Sequence, residues 1–231
     1  MTLVRVDNIS GISLFYDRFK SGSYGNEAVA MRPFIDQKFF GICEKAVATI
    51  RDALSKGEYE IKQIWSGGVG RSGNGRSYHH KNRAFDLDAL IFADNTKWVA
   101  NTFPDRPYIY LAIEACLRTK FGTVLNYDYN KAHEDHFHFD NGTTVRFKRE
   151  ARSHVLFLQH TLMKLFNQDI GESGADGIFG PDTDAALSRV RKQINIGGLS
   201  GKQNWLRYLE VCAEVAILNE KSIVSVDGPS A

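Results

Sequence analysis

Five of the seven histidines in this chain fall in two short stretches, His79–Asp86 and His133–His138, and each stretch carries aspartate. The first reads Ser77-Tyr78-His79-His80-Lys81-Asn82-Arg83-Ala84-Phe85-Asp86, and the second ends on Asp135-His136-Phe137-His138. Imidazole nitrogens and carboxylate oxygens are what a hydrolytic zinc ion takes, three from the protein with a fourth position kept for water. His79, Asp86 and His138 are the expected metal ligands. Two neutral imidazoles and one carboxylate leave a net +1 centre, which draws the pKa of a bound water from 15.7 toward about 7. Asp135, three residues before His138, is the expected base, with Glu134 and His136 as alternatives. His136 shares a face with His138 and is placed to stabilise an oxyanion or to transfer a proton. A structural zinc site is usually closed by four protein ligands; the spare acid and imidazole beside His138 argue for catalysis. His80 and His133 are expected to stand by or to support the ligands, and Asp88 to be a supporting or surface acid.

The elements that hold these residues follow from their spacing. Six residues lie between His79 and Asp86, too many for one helical turn, so a loop feeding a strand is expected. Ala84–Phe92 alternates, with Phe85, Leu87, Ala89 and Ile91 on one face and Asp86 and Asp88 on the other. His136, His138 and Asp140 alternate with Phe137 and Phe139 in the same way. Asn141-Gly142 then predicts a two-residue hairpin turn and a returning strand over 143–148. Tyr59–Trp65 reads as another strand. After it, Gly68-x-Gly70-x-x-Gly73 has the spacing of a dinucleotide fingerprint, but no helical period starts at those glycines to hold a pyrophosphate. The loop is instead expected to deliver Arg71 to a substrate carboxylate. Apolar stripes predict helices over 34–55 and from Pro107 to about Lys120. Thr123-Val124-Leu125 reads as a short strand, and Leu3–Val6 as another.

Hydrophobic residues make up 43% of the 231 and charged residues 24%, as in ordinary globular chains, with a net charge of +2. No apolar run reaches the roughly 18–20 residues of a membrane span, and neither membrane insertion nor a nucleic-acid partner is expected. Cys43, Cys116 and Cys212 are few and far apart, as small core residues are. The start, Met1–Asp7, has no basic segment leading into an apolar one. Synthesis in the cytoplasm without a signal peptide is therefore expected. A charged run at Lys148–Arg152 marks the expected boundary between residues 1–148 and 149–221, with 222–231 a frayed tail. Beyond that boundary, helices are predicted over about 153–166, 182–194 and 202–219.

Ser77-x-His79-x-x-Asn82-x-Ala84-x-Asp86 resembles the Ser-x-His-x-x-Gly-x-Ala-x-Asp signature of the D-Ala-D-Ala carboxypeptidase and L-alanyl-D-glutamate endopeptidase zinc peptidases. The one departure is Asn82 in place of Gly. Phe121–Leu125 through His133–Asp140 resembles the extensin-like C-terminal domain family, and Arg71 sits where these families place a substrate-binding arginine. That group pairs a cysteine before this arginine with one matching Cys116. Here the position is Gly70, so no disulfide is expected. Val155-x-x-Leu158-Gln159-x-x-Leu162 and Asp176-Gly177-Ile178-Phe179-Gly180-Pro181-x-Thr183-x-Ala185-Ala186 resemble the small helical peptidoglycan-binding domain.

Together these imply an α+β fold: a small antiparallel sheet with flanking helices carrying a zinc site, followed by a small all-α helical domain. The implied function is a Zn2+ metallopeptidase acting on peptidoglycan stem peptides or cross-links in the periplasm or cell wall. It would arrive as a phage endolysin or as a secreted interbacterial toxin of type VI kind, the latter with an immunity protein and secretion machinery as partners. The alternative is a non-catalytic peptidoglycan-binding protein with a structural metal.

Overall fold

The computed structural model describes residues 2–18 and 24–226. It opens on short strands: β1 (Leu3–Arg5), β2 (Asn8–Ile9), β3 (Ile12–Tyr16), β4 (Val29–Ala30) and β5 (Phe34–Asp36). Helix α1 (Gln37–Ser55) begins where the Asp36 carboxylate accepts from the Phe39 amide at 3.0 Å, satisfying a donor that a first helical turn otherwise leaves free. Next come β6 (Ile61–Gly68), β7 (Ala84–Phe92), β8 (Lys97–Val99), α2 (Pro107–Arg118), β9 (Thr123–Leu125) and β10 (Phe137–Asp140). Three helices follow, α3 (Arg152–Lys164), α4 (Pro181–Gln193) and α5 (Lys202–Val226).

The fold is mixed α+β. Its main sheet runs β2-β3-β6-β7-β10-β9, with β4 beside β3 and β8 beside β7; β1 and β5 pair separately. Every pairing in the main sheet is antiparallel except β3 with β6, which is parallel. The sheet is thus larger and less uniform than expected, because three N-terminal strands of two to five residues join it. Phe85 and Phe139 stack across β7 and β10 with ring centroids 5.3 Å apart, and Phe137 lies 4.2 Å from Tyr110 of α2. Helices thereby cover the apolar face, leaving the other face to the polar residues of β7 and β10.

Several local expectations change. Residues 34–36 are strand, not helix, because they pair with β1 before Asp36 caps α1. No strand returns after Asn141-Gly142: β10 already has β7 on one edge and β9 on the other, so neither edge is open. Gly142 serves a different need, since a Cβ there would lie 2.4 Å from the Tyr78 ring. Ser21-Gly22-Ser23-Tyr24-Gly25 has the composition of a turn, and its first three residues lie outside the described residues. The tail expected to fray from Ser222 continues as α5 to Val226; 227–231 lie outside the described residues. The three cysteines are buried and free.

The C-terminal helices join the same buried cluster, which extends from Val6 to Ile217. At its centre, buried Arg118 donates to Glu114 Oε1 at 2.7 Å and to the Ser153 carbonyl of α3 at 2.7 Å. A buried guanidinium needs such partners, since an unpaired one costs several kcal/mol. His160 of α3 stands 2.7 Å from Asp128, and Arg106 donates to Glu220 of α5 at 2.6 Å. Among the described residues no helix is long and apolar enough to cross a membrane.

Candidate metal centre

Asp86 and His138 are direct cross-strand partners on β7 and β10, so the pleat aims both at the same face. His79 arrives from a single turn of 3-10 helix, Tyr78–Lys81, capped by the Ser77 hydroxyl. That turn ends at Asn82, whose φ of 53° and ψ of 36° are left-handed. Glycine reaches this conformation freely, and asparagine is among the few side chains that tolerate it. The departure at Asn82 therefore preserves the backbone that the motif requires.

Three donor atoms meet. His79 Nε2 is 3.1 Å from Asp86 Oδ1 and 3.1 Å from His138 Nδ1, and His138 Nδ1 is 2.9 Å from Asp86 Oδ1. Tetrahedral bonds of about 2.0–2.1 Å to zinc space donor atoms roughly 3.3 Å apart, close to these separations. The proton positions also fit a cation. A carbonyl cannot donate, so His79 Nδ1 must hold the proton in its 3.0 Å bond to Val69 O, leaving a lone pair on Nε2. His138 Nε2 faces the Asp140 carboxylate at 3.4 Å, which turns Nδ1 toward Asp86. Burial would lower the pKa of His138, but hydrogen bonds to Asp140 and Asp86 raise it to about 9. Positive charge is thus favoured where the three groups converge, and their donor atoms could hold a metal ion. Burial works against the charge on Asp86 too, yet bonds to His138 and His79 hold its carboxyl well below the usual range.

A cavity of about 570 Å3 opens on this cluster, with Arg18, Arg71, His133, His136 and the three donor residues on its walls. Asp135 does not face the cavity directly. Its Oδ1 accepts from His136 Nδ1 at 2.7 Å, which leaves His136 Nε2 as acceptor, 3.6 Å from Asp86 Oδ1. The aspartate therefore stands behind the imidazole. Burial raises the Asp135 carboxyl, but the bonds from His136 and Arg18 outweigh it and lower its pKa. Arg71 is exposed and lines the same cavity, and its amide donates to the His79 carbonyl at 3.1 Å.

Of the supporting candidates, Glu134 is drawn away to Lys131 at 2.7 Å. His80 turns toward the Arg71 carbonyl at 3.3 Å. His133 does face the cavity, with its ring 5.1 Å from that of His136. Burial first, and then the neighbouring His136 and His138, lower its pKa to about 4, so it is neutral near pH 7. Asp88 is fully buried rather than a surface acid, and Arg18 holds it. Arg18 belongs to no motif; the only hint in sequence is that an acid two residues beyond Asp86 on an apolar strand needs a cation.

The family model for the extensin-like protein C-terminus matches residues 28–149, just over half of the 231-residue chain. The chain belongs to this family. The match takes in His79, Asp86, Asp135, His136, His138 and Arg71, and extensin-like sequence thus accounts for all the residues singled out from their spacing. Arg18 lies before its start. Neither the comparison with curated proteins nor that with solved structures returned a match.

Proposed function

We propose that this extensin-like chain is a zinc-dependent hydrolase that cuts an amide bond in the peptide part of bacterial peptidoglycan. The observation that carries the reading is the convergence of His79 Nε2, Asp86 Oδ1 and His138 Nδ1 in one open cavity beside an Asp135–His136 pair. The substrate class rests on the resemblance of Ser77–Asp86 to wall peptidases and of residues 155–186 to a peptidoglycan-binding module. When bound, the cation supplies Lewis acidity to a water and to the amide carbonyl. His136 Nε2 is the atom placed to take up and return a proton, while Asp135 holds the other ring proton and offsets the charge that develops. The role expected of Asp135, with His136 and Glu134 as alternatives, is in this reading shared between Asp135 and His136. Arg71 offers a guanidinium fork for a substrate carboxylate. Residues 149–221 would hold the enzyme on the wall and raise its local concentration there.

The test is mass spectrometry of muropeptides after digestion of purified peptidoglycan, with and without chelator. New peptide ends that vanish with chelator are expected. His138→Ala should lose both zinc and activity, whereas Asp135→Ala should keep zinc and lose activity. A fully active Asp135→Ala protein would show that Asp135 does not support proton transfer at His136. One observation favours a second reading: His136 Nε2 is near enough to Asp86 to close the site as a fourth ligand. In that case the metal is structural, and zinc binds with no product released.

A further inference from the structure

Arg18 joins two carboxylates that are far apart in sequence. Its Nε donates to Asp88 Oδ2 at 2.7 Å and its Nη2 to Asp88 Oδ1 at 3.2 Å, a two-pronged grip on a fully buried group. Its Nη1 donates to Asp135 Oδ2 at 2.8 Å. The Tyr24 ring lies against the guanidinium at 4.7 Å, and its one hydroxyl proton is offered to two main-chain carbonyls, those of Asp88, at 3.1 Å, and of Asp135. Gly67 leaves room for this arrangement, because a Cβ there would sit 2.9 Å from Asp88 Oδ1 and 3.3 Å from Arg18 Nε. The contacts thus run from the interior of β7 through Arg18 to Asp135, and from Asp135 Oδ1 to His136 Nδ1.

We propose that Arg18 is a positioning residue, which fixes the plane of the Asp135 carboxylate against buried Asp88 and so aims His136 Nε2 into the cavity. The idea rests on the functional reading above only in that His136 has proton transfer to perform. Asp135 is partly exposed, and a carboxylate held by one imidazole alone can rotate about its side-chain bonds. A second bond to an arginine that is itself anchored removes that freedom. The guanidinium matters here as a fork, because an ammonium ion cannot span both acids with fixed geometry. Three of the five Arg18 N–H groups are held by these acids, whereas Arg71 is exposed on the same cavity.

The experiment uses the full chain loaded with zinc, comparing wild type, Arg18→Lys and Arg18→Met. Arg18→Met leaves the Asp88 carboxylate unpaired in the core, so the pair Arg18→Gln/Asp88→Asn, which removes both charges, serves if that variant does not fold. Misaiming a reacting group by about 1 Å costs up to roughly 100-fold. Accordingly kcat should fall roughly 10- to 100-fold in the folded variants, with KM and zinc content near wild type, and Arg18→Lys should restore stability but not kcat. The second readout needs no activity: 15N signals of the His136 ring should show Nδ1–H as one fixed tautomer in wild type and an averaged ring in the variants. Wild-type kcat in a folded, zinc-loaded Arg18 variant would overturn the proposal, as would a raised KM at constant kcat. If the wild type cuts no peptidoglycan, the functional reading fails separately. The ring signals then decide: averaging in the variants sustains the positioning role, and an unchanged fixed tautomer overturns it.

Discussion

Replacing Asn82 separates what its backbone does from what its side chain does. The residue sits at φ 53° and ψ 36°, ending the turn that carries His79. Its Nδ2 donates to the Phe34 carbonyl at 2.6 Å, and its own carbonyl accepts from the Asp36 amide at 3.0 Å, tying the turn to the start of α1. The left-handed conformation costs an ordinary L-residue about 1–2 kcal/mol. Asparagine already bears part of this, so about 1 kcal/mol is assigned to Asn82→Ala. The lost side-chain bond is exposed and adds about 0.5 kcal/mol, the low end for a hydrogen bond. Asn82→Ala should therefore cost about 1.5 kcal/mol, and Asn82→Gly only about 0.5 kcal/mol, since glycine escapes the backbone strain. For a chain of this size 1 kcal/mol moves Tm by about 2–4 °C. Thermal melts should then place Asn82→Ala about 3–6 °C below wild type and Asn82→Gly within about 2 °C. The reasoning fails if the glycine variant melts as low as the alanine variant, because the side-chain bond and not the backbone would then set the stability.

Two further expectations concern the contacts between the sheet and the C-terminal helices. Buried His154 donates from Nε2 to the Gly122 carbonyl at 2.8 Å and accepts from the Lys148 amide at Nδ1, 3.1 Å away. Burial, and after it Arg118, push its pKa from 6.5 down to about 3. Below pH 6.5 the unfolded chain binds a proton that the folded one refuses, so stability held above pH 6.5 is lost as pH falls from there toward 3. At pH 5 the loss is about 2 kcal/mol, read from denaturant melts at pH 7.5 and 5; His154→Gln, which keeps a donor and an acceptor, should remove this part of the slope, and an unchanged slope would refute the assignment. Truncation after Lys148 removes the Ser153 carbonyl from Arg118 and the Glu220 carboxylate from Arg106. A fragment of residues 1–148 should show no cooperative thermal melt, and a melt matching the whole chain would show that these contacts do not support the sheet.

The parts of the site that sequence made legible are those whose signal is local. Asp86 and Asp88 alternate with Phe85, Leu87 and Ala89, and the strand β7 has the expected bounds, Ala84–Phe92. The residue types at His79, Asp86 and His138 pointed to one another because metal-ligand chemistry uses few side chains, and the β7–β10 register brings two of them opposite. Where a local signal met a competing tertiary demand, the tertiary one prevailed. Asn141-Gly142 has the composition of a hairpin turn, yet a hairpin needs a free edge, and β9 occupies it. Of the short N-terminal strands, β1 falls within the strand expected at Leu3–Val6, but the others were illegible for a related reason. β3 is five residues long and pairs in parallel with β6, some fifty positions on, so nothing in its neighbourhood announces its partner.

Arg18 marks the limit of such reading. Its two carboxylate partners lie 70 and 117 residues away, and its segment precedes the family match. Still, half of the inference was available. Asp86 and Asp88 share one face of a strand that is otherwise apolar, and two carboxylates side by side under a sheet cannot both stay charged without cations. For Asp86, the His79 and His138 ring nitrogens converge on its Oδ1. For Asp88, a buried acid demands a charged donor of its own, and a forked one fits its two oxygens best. The choice among 29 lysines and arginines is what only the fold makes. Once made, it reaches beyond Asp88, because the same guanidinium extends to Asp135 and links the strand carrying Asp86 to the residue behind His136.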